Sequence, residues 1–233
     1  MLVKGSSSLI KKQREYIEFS VEDMFDNSFC MSFDDTEYQL FKSRMIRAGF
    51  DKIPRRYQGR YPSVLFGRGC NVCALNHFVL VNMAMTMGWP WVTIFESDAY
   101  PLKNCRDQLG EFLGSTGAPK DADEIIYGNL HFIRDYTYGG KNNFCLVDVR
   151  EGYGHIKHDL WGAHAVTIFK QGYERWINNY LKQSTQINAD FFMWLTPNCY
   201  ATTRSFFLQK KKELQCPEKL IDKQYLCEYL DEK

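Results

Sequence analysis

The sequence predicts an α/β domain with a mostly parallel central sheet and helices on both faces, and three observations carry that expectation. Strand-like and helix-like segments alternate along the chain, which is the pattern of strands laid side by side with crossover helices. Residues 91–95 (Trp-Val-Thr-Ile-Phe) form a continuous apolar run bounded by turn signals, as expected of a strand covered on both faces. The segment before it, 72–87, is apolar almost all round, the signature of a buried helix.

In order, residues 1–24 are polar and mixed and read as a lead-in or an edge strand. Residues 28–33 (Ser-Phe-Cys-Met-Ser-Phe) read as a short buried strand, and Asp34, Asp35 and Thr36 supply cap chemistry for a helix of about a dozen residues ending near Gly49. The stretch 57–69 is rich in Gly, Pro and Arg and is expected to be loop, with Asn71 capping the apolar helix and Gly88-Trp89-Pro90 ending it. Further strands are expected at 125–132, 144–149 and 163–169, with a turn at Gly139-Gly140 and a helix over 171–182. Pro197 breaks the chain, and Pro217 opens a last helix toward Tyr229. The domain is therefore expected over 25–200, with a helical extension over 201–233.

A chain of 233 residues can close a full hydrophobic core, and 45% hydrophobic with 24% charged residues is ordinary for a globular protein. The 15% aromatic content suits stacking surfaces, though aromatics serve cores more often. A formal net charge of +1 gives no field of one sign, so no nucleic-acid partner is expected. Lys210, Lys211 and Lys212, with Arg204 nearby, form the densest basic run, which reads as a solvated helix face or as a contact for an anionic membrane surface or glycan. The start of the chain shows no secretory pattern, and the breaker at 88–90 divides the apolar stretch 78–95 into helix and strand, so a cytoplasmic protein with at most peripheral contact at the inner membrane face is expected. Eight cysteines are then expected to be reduced.

The chemistry concentrates at Glu96, Ser97 and Asp98, directly after the buried run. Ligands of open α/β sheets sit beyond the carboxyl ends of strands, and alternate side chains of a strand share a side, so Glu96 and Asp98 are expected to point together. Two close carboxylates attract a hard cation such as Mn²⁺ or Mg²⁺. A solvated strand-end turn explains an acidic pair equally well. Cys70, Cys73, His77 and Cys105 give a further alternative, a structural zinc site in an interaction module.

The block Cys73-Ala74-Leu75-Asn76-His77, a helix, the strand 91–95 and then Glu96-Ser97-Asp98-Ala99-Tyr100-Pro101 resembles the central region of glycosyltransferase family 25, the lipopolysaccharide-biosynthesis and collagen galactosyltransferase type. There a Gly-Cys-Ala-Leu-Ser-His segment opens the helix and Glu-Asp-Asp ends the strand. Here Asn76 replaces the serine and Ser97 the middle acid. Met31-Ser32-Phe33-Asp34 is similar to the family's first strand beside the nucleotide base, although Gln39 stands where the family has arginine. Gly162-Ala163-His164-Ala165-Val166-Thr167-Ile168 resembles the segment lining the sugar and acceptor side, and Ile187-Asn188-Ala189-Asp190 its Pro-Val-Asp element.

The resemblance covers roughly 28–195 and implies a GT-A-like fold. The implied activity is transfer of a galactose-like hexose from a nucleotide diphosphate sugar, expected to be a uridine-diphosphate hexose, to a glycan or lipid-linked saccharide hydroxyl, with inversion. Ser32, Asp34, His77, Glu96 and Ser97 would then face the donor, and Asp98 and Glu96 would hold the metal. His164 is the preferred third ligand over His155 and His158. Asp190 is the candidate general base, with a surface helix cap as its other reading. A domain that binds nucleotide sugar or glycan without catalysis is the alternative function.

Overall fold

The computed structural model describes residues 15–59, 69–128, 146–156, 164–182 and 196–209. The first elements are a two-residue strand β1 (Tyr16–Ile17), helix α1 (Val21–Asp26), strand β2 (Ser28–Ser32) and helix α2 (Asp35–Arg47). Ser20 and Asp23 cap α1 reciprocally, each side chain accepting from the other's backbone N–H. Asp34 caps α2 by accepting from the Glu37 N–H at 2.8 Å, as the sequence leads one to expect. Strand β3 (Arg55–Gln58) follows, where the sequence reading places the start of a loop.

Helix α3 (Gly69–Thr86) then leads into β4 (Trp91–Glu96), β5 (Ala99–Pro101) and helix α4 (Cys105–Thr116). Two very short strands, β6 (Ala118–Pro119) and β7 (Glu124–Ile126), precede β8 (Leu146–Arg150) and β9 (Tyr153–Ile156). The described chain closes with β10 (Ala165–Phe169), α5 (Tyr173–Lys182), β11 (Cys199–Thr202) and β12 (Phe207–Gln209). The folded sheet thus runs past residue 200, where the sequence reading expects a helical extension; the expected helix from Pro217 and the turn at Gly139-Gly140 lie outside the described residues.

Among the described residues, eight strands form the central sheet in the order β3-β2-β4-β10-β7-β11-β9-β8. Strands β3, β2 and β4 pair in parallel, as do β7 and β11, whereas β10 runs antiparallel to both β4 and β7, and β9 antiparallel to β11 and β8. Most strands point one way, but the sheet is mixed. β4 has a parallel neighbour on one side and an antiparallel one on the other, so the two-sided burial of 91–95 is borne out while its expected all-parallel setting is not.

Helices cover both faces. Phe95, with Cys30, Ala165 and Ile125, packs against residues of α1, α2 and α4 such as Met24, Phe41, Met45 and Leu109. Val92 and Ile94 pack on the other side against Leu80, Val81 and Ala84 of α3 and Trp176 and Ile177 of α5. The alternation of β4 side chains sets which residue meets which layer. Among the described residues no helix is long and apolar enough to cross a membrane.

Both sheet edges are irregular. At one, Arg55 of β3 lies over the Phe29 ring at 4.5 Å and Arg56 pairs with Asp35. At the other, the β8–β9 register shifts between Val147 and Arg150, with Asp148 at φ 49° and Glu151 at φ 48°.

Phe95 is fully buried among Phe25, Phe41 and Phe207, with ring centroids 5.2 to 5.8 Å away. Phe95→Ala is expected to destabilise the fold by about 3–5 kcal/mol, read as a lower urea midpoint at unchanged slope.

Candidate functional site

The carboxyl end of β4 lies beside the carboxyl end of β2: Met31 is opposite Glu96, and the Ser97 N–H donates to the Met31 carbonyl at 3.0 Å. Because β10 is antiparallel, its first residues are at this same end; Ala165 is opposite Phe95, and the Glu96 N–H donates to the His164 carbonyl at 3.0 Å. Ser32, Asp34, Glu96, Ser97, Asp98 and His164 therefore gather over three adjacent strands at one end of the sheet.

Glu96 follows Val92 and Ile94 onto the α3 face. There Cys73 and His77, one helical turn apart on α3, meet it. The Cys73 thiol donates to Glu96 Oε1 at 3.1 Å, and His77 Nδ1 lies 3.6 Å from Cys73 Sγ. His77 Nδ1 is also 3.0 Å from the Cys73 carbonyl, which can only accept, so Nδ1 carries the proton in that contact. The His77 ring is fully buried and stacks on Trp176 with centroids 6.2 Å apart and planes 23° apart. Among the described residues, Cys73, His77 and Glu96 form the group whose ligand atoms all lie within 4.8 Å of one another.

Ser97 belongs to the opposite face. Its hydroxyl donates to Glu37 Oε2 at 3.2 Å, and its carbonyl accepts from the Arg44 guanidinium, which is itself buried and sits 3.9 Å over the Tyr100 ring. Arg44 is a residue that the sequence reading missed, and its polar partner lies 53 positions away in the chain. Asp98 is half-buried in the two-residue turn between β4 and β5. The expectation that Glu96 and Asp98 share a side assumes a strand through Asp98, and the strand ends at Glu96, so period two does not extend to Asp98.

Ser32 and Asp34 have local duties: the Ser32 hydroxyl donates to the Asp34 carbonyl at 2.7 Å, and Asp34 caps α2. His164 is buried with Nε2 3.1 Å from the Phe207 carbonyl. Gly128 leaves room for that ring, since a Cβ there would stand 2.2 Å from Nε2. Asp98 and His164 are not part of the Cys73 cluster. Asp190 and His158 lie outside the described residues, while His155 is on β9 with its ring edge against Tyr200, and three strands stand between β9 and β4.

Cys105, counted with Cys70, Cys73 and His77 in the zinc alternative, does not join them. Cys105 is buried in the α1–α2–α4 layer, donating to the Phe206 carbonyl at 3.2 Å, so the sheet separates it from Cys73. The Cys70 side chain lies outside those described.

Two adjacent acids where β7 begins, Asp123 just before it and Glu124 its first residue, also escaped the sequence reading. Asp123 is fully buried, pairs with Arg175 and accepts from the Asn198 N–H at 3.3 Å. Glu124, equally buried, faces the α3–α5 layer beside Cys199. Burial first, and then the Glu124 charge and hydrogen bond, push the Cys199 thiol well above its ordinary range. Burial likewise raises Cys30 and Cys105.

No family model and no curated protein matches the chain. Among solved structures, the crystal structure of A197 from STIV aligns with 12% identity and a TM-score of 0.37, covering 77% of this chain and 81% of that one.

The thiols give a direct check. Of the four cysteines with described side chains, Cys73 is half-buried and Cys30, Cys105 and Cys199 are buried. Since the thiolate is the nucleophile, mass-spectrometric mapping after brief maleimide treatment of the native protein at neutral pH is expected to find Cys73 alkylated first, with the other three labelled only on unfolding.

Proposed function

We propose that the chain is a metal-dependent glycosyltransferase of the family 25 type on a GT-A-like fold, moving a hexose from a nucleotide diphosphate sugar to a glycan or lipopolysaccharide hydroxyl with inversion. One observation carries the reading: Glu96, Ser97 and Asp98 close a central strand at the sheet end where Ser32, Asp34 and His164 also lie. The carboxyl ends of strands are where open sheets of this class accept ligands.

The oxygen donors of Asp98 and Glu96 fit a hard cation such as Mn²⁺ or Mg²⁺. A cation there would offset the charge that grows on the diphosphate as the sugar departs. Asp98 is the principal ligand in this reading, because Glu96 is turned toward a thiol. Arg44, from the helix that carries Gln39, holds the Ser97 carbonyl and so fixes the acidic turn against α2. Asp190 would take the proton of the attacking hydroxyl. The second reading, a domain that binds nucleotide sugar without turnover, is favoured by Ser97, whose hydroxyl is committed to Glu37 in place of an acid that could face the metal.

A thermal-shift screen of uridine and guanosine diphosphate sugars is expected to give a Mn²⁺-dependent stabilisation that Asp98→Asn loses. Asp190→Asn should keep that shift while donor turnover falls by about 10²–10⁴-fold. A Mn²⁺-dependent shift with no turnover in the unaltered chain selects the non-catalytic reading; full turnover by Asp190→Asn removes that residue from the chemistry.

A further inference from the structure

We infer that Cys73, His77 and Glu96 form a binding site for a cation of the zinc class, separate in its chemistry from an oxygen-donor site at Asp98. The three donors come from two elements held in fixed relation. Cys73 and His77 share one side of α3, a full turn apart, and Glu96 is the last residue of the strand on which α3 packs. None of them depends on a loop.

Their spacing suits a small tetrahedral ion. With Zn–S near 2.3 Å and Zn–N and Zn–O near 2.0–2.1 Å, tetrahedral angles put sulfur about 3.5 Å from either other ligand. The observed separations from Cys73 Sγ are 3.6 Å to His77 Nδ1 and 3.1 Å to Glu96 Oε1, and all three ligand atoms lie within 4.8 Å of one another. The closer sulfur–oxygen approach is that of a thiol hydrogen bond, which a cation would replace. Binding would release one proton, from the Cys73 thiol, and would require the other neutral tautomer of His77, its ring proton moving from Nδ1 to Nε2 so that Nδ1 can ligate, while Glu96 contributes a carboxylate oxygen.

The donor set decides the metal class. A thiolate, an imidazole and one carboxylate favour Zn²⁺ or Co²⁺ over Mg²⁺ or Mn²⁺, which take oxygen ligands. Ala74, Leu80 and Val81 of the same helix lie in the adjoining core, and Trp176 stacks on the imidazole and limits its rotation. Three protein ligands leave a fourth position for water or a substrate oxygen, the arrangement of open zinc sites as opposed to closed structural ones.

The site shares Glu96 with the transferase reading but not Asp98, the principal ligand in that reading, so Asp98→Asn separates the two. The probe is Co²⁺ added to the reduced, chelator-free full chain and followed by absorption. One Co²⁺ per chain is expected, with a thiolate-to-cobalt charge-transfer band that Zn²⁺ abolishes by displacement. Cys73→Ser should remove the band, Glu96→Gln and His77→Gln should weaken Co²⁺ binding by about tenfold or more, and Asp98→Asn should leave the band in place. Circular dichroism and a thermal melt establish that each variant is folded. Should Cys73→Ser misfold, Glu96→Gln, which preserves volume, carries the test by its loss of affinity. A band that survives in folded Cys73→Ser, affinity unchanged in Glu96→Gln, or no band in the folded chain at saturating Co²⁺ would overturn the assignment.

Discussion

Strand β4 must be apolar on both faces because a helical layer covers each, and it must be paired on both edges because β2 and β10 flank it. Everything at the site follows from how such a strand ends. Val92 and Ile94 commit one parity to α3 and α5, and Phe95 commits the other to α1, α2 and α4. Glu96 inherits the first parity and meets Cys73; Ser97 turns to the second and meets Glu37. A carboxylate at any earlier position of the strand would be buried in one core or the other at a cost of several kcal/mol unless paired. The acidic turn is thus as deep in the sheet as carboxylates can go while retaining access to ligand or water.

The same logic accounts for the two acids at the start of β7. Asp123 precedes the strand and is matched by Arg175 from α5 and by the Asn198 amide. Glu124 has entered the sheet and lies with Cys199 on the neighbouring strand. Neighbouring residues of like charge are tolerable at full burial because alternation sends them to different partners.

Much of this fold was legible in local patterns. The strand at 28–32, the Asp34 cap of α2, the long apolar helix and the strand from Trp91 are set by periodicity and capping, which act over a few residues. What escaped depends on distant pairing. The antiparallel placement of β10 between β4 and β7 has no local signal, and strands as short as β5 and β12 exist only because each supplies the other's hydrogen bonds. Helix α4 was obscured by Gly110 and Gly114 and by a left-handed Asn104 without a side-chain cap, although Cys105, Leu109 and Leu113 at four-residue spacing mark its buried side. The sequence also placed Glu96, Ser97 and Asp98 at the carboxyl end of the strand from Trp91, where the structure has them. It could not show that Glu96 faces Cys73 and His77, because that needs the parity of one strand and the phase of one helix together, nor that Arg44 reaches Ser97.

The ragged margins of the sheet bear on how copies of this chain meet. A long open sheet ends in two rows of backbone groups that can template another strand. Here one margin carries guanidinium groups engaged with Phe29 and Asp35, and the other is kinked by a register shift with two residues in left-handed conformation. An incoming strand would have to displace cations on one side and match a broken ladder on the other. Among the described residues, the eight-stranded sheet therefore offers no smooth seam for end-to-end growth into fibres.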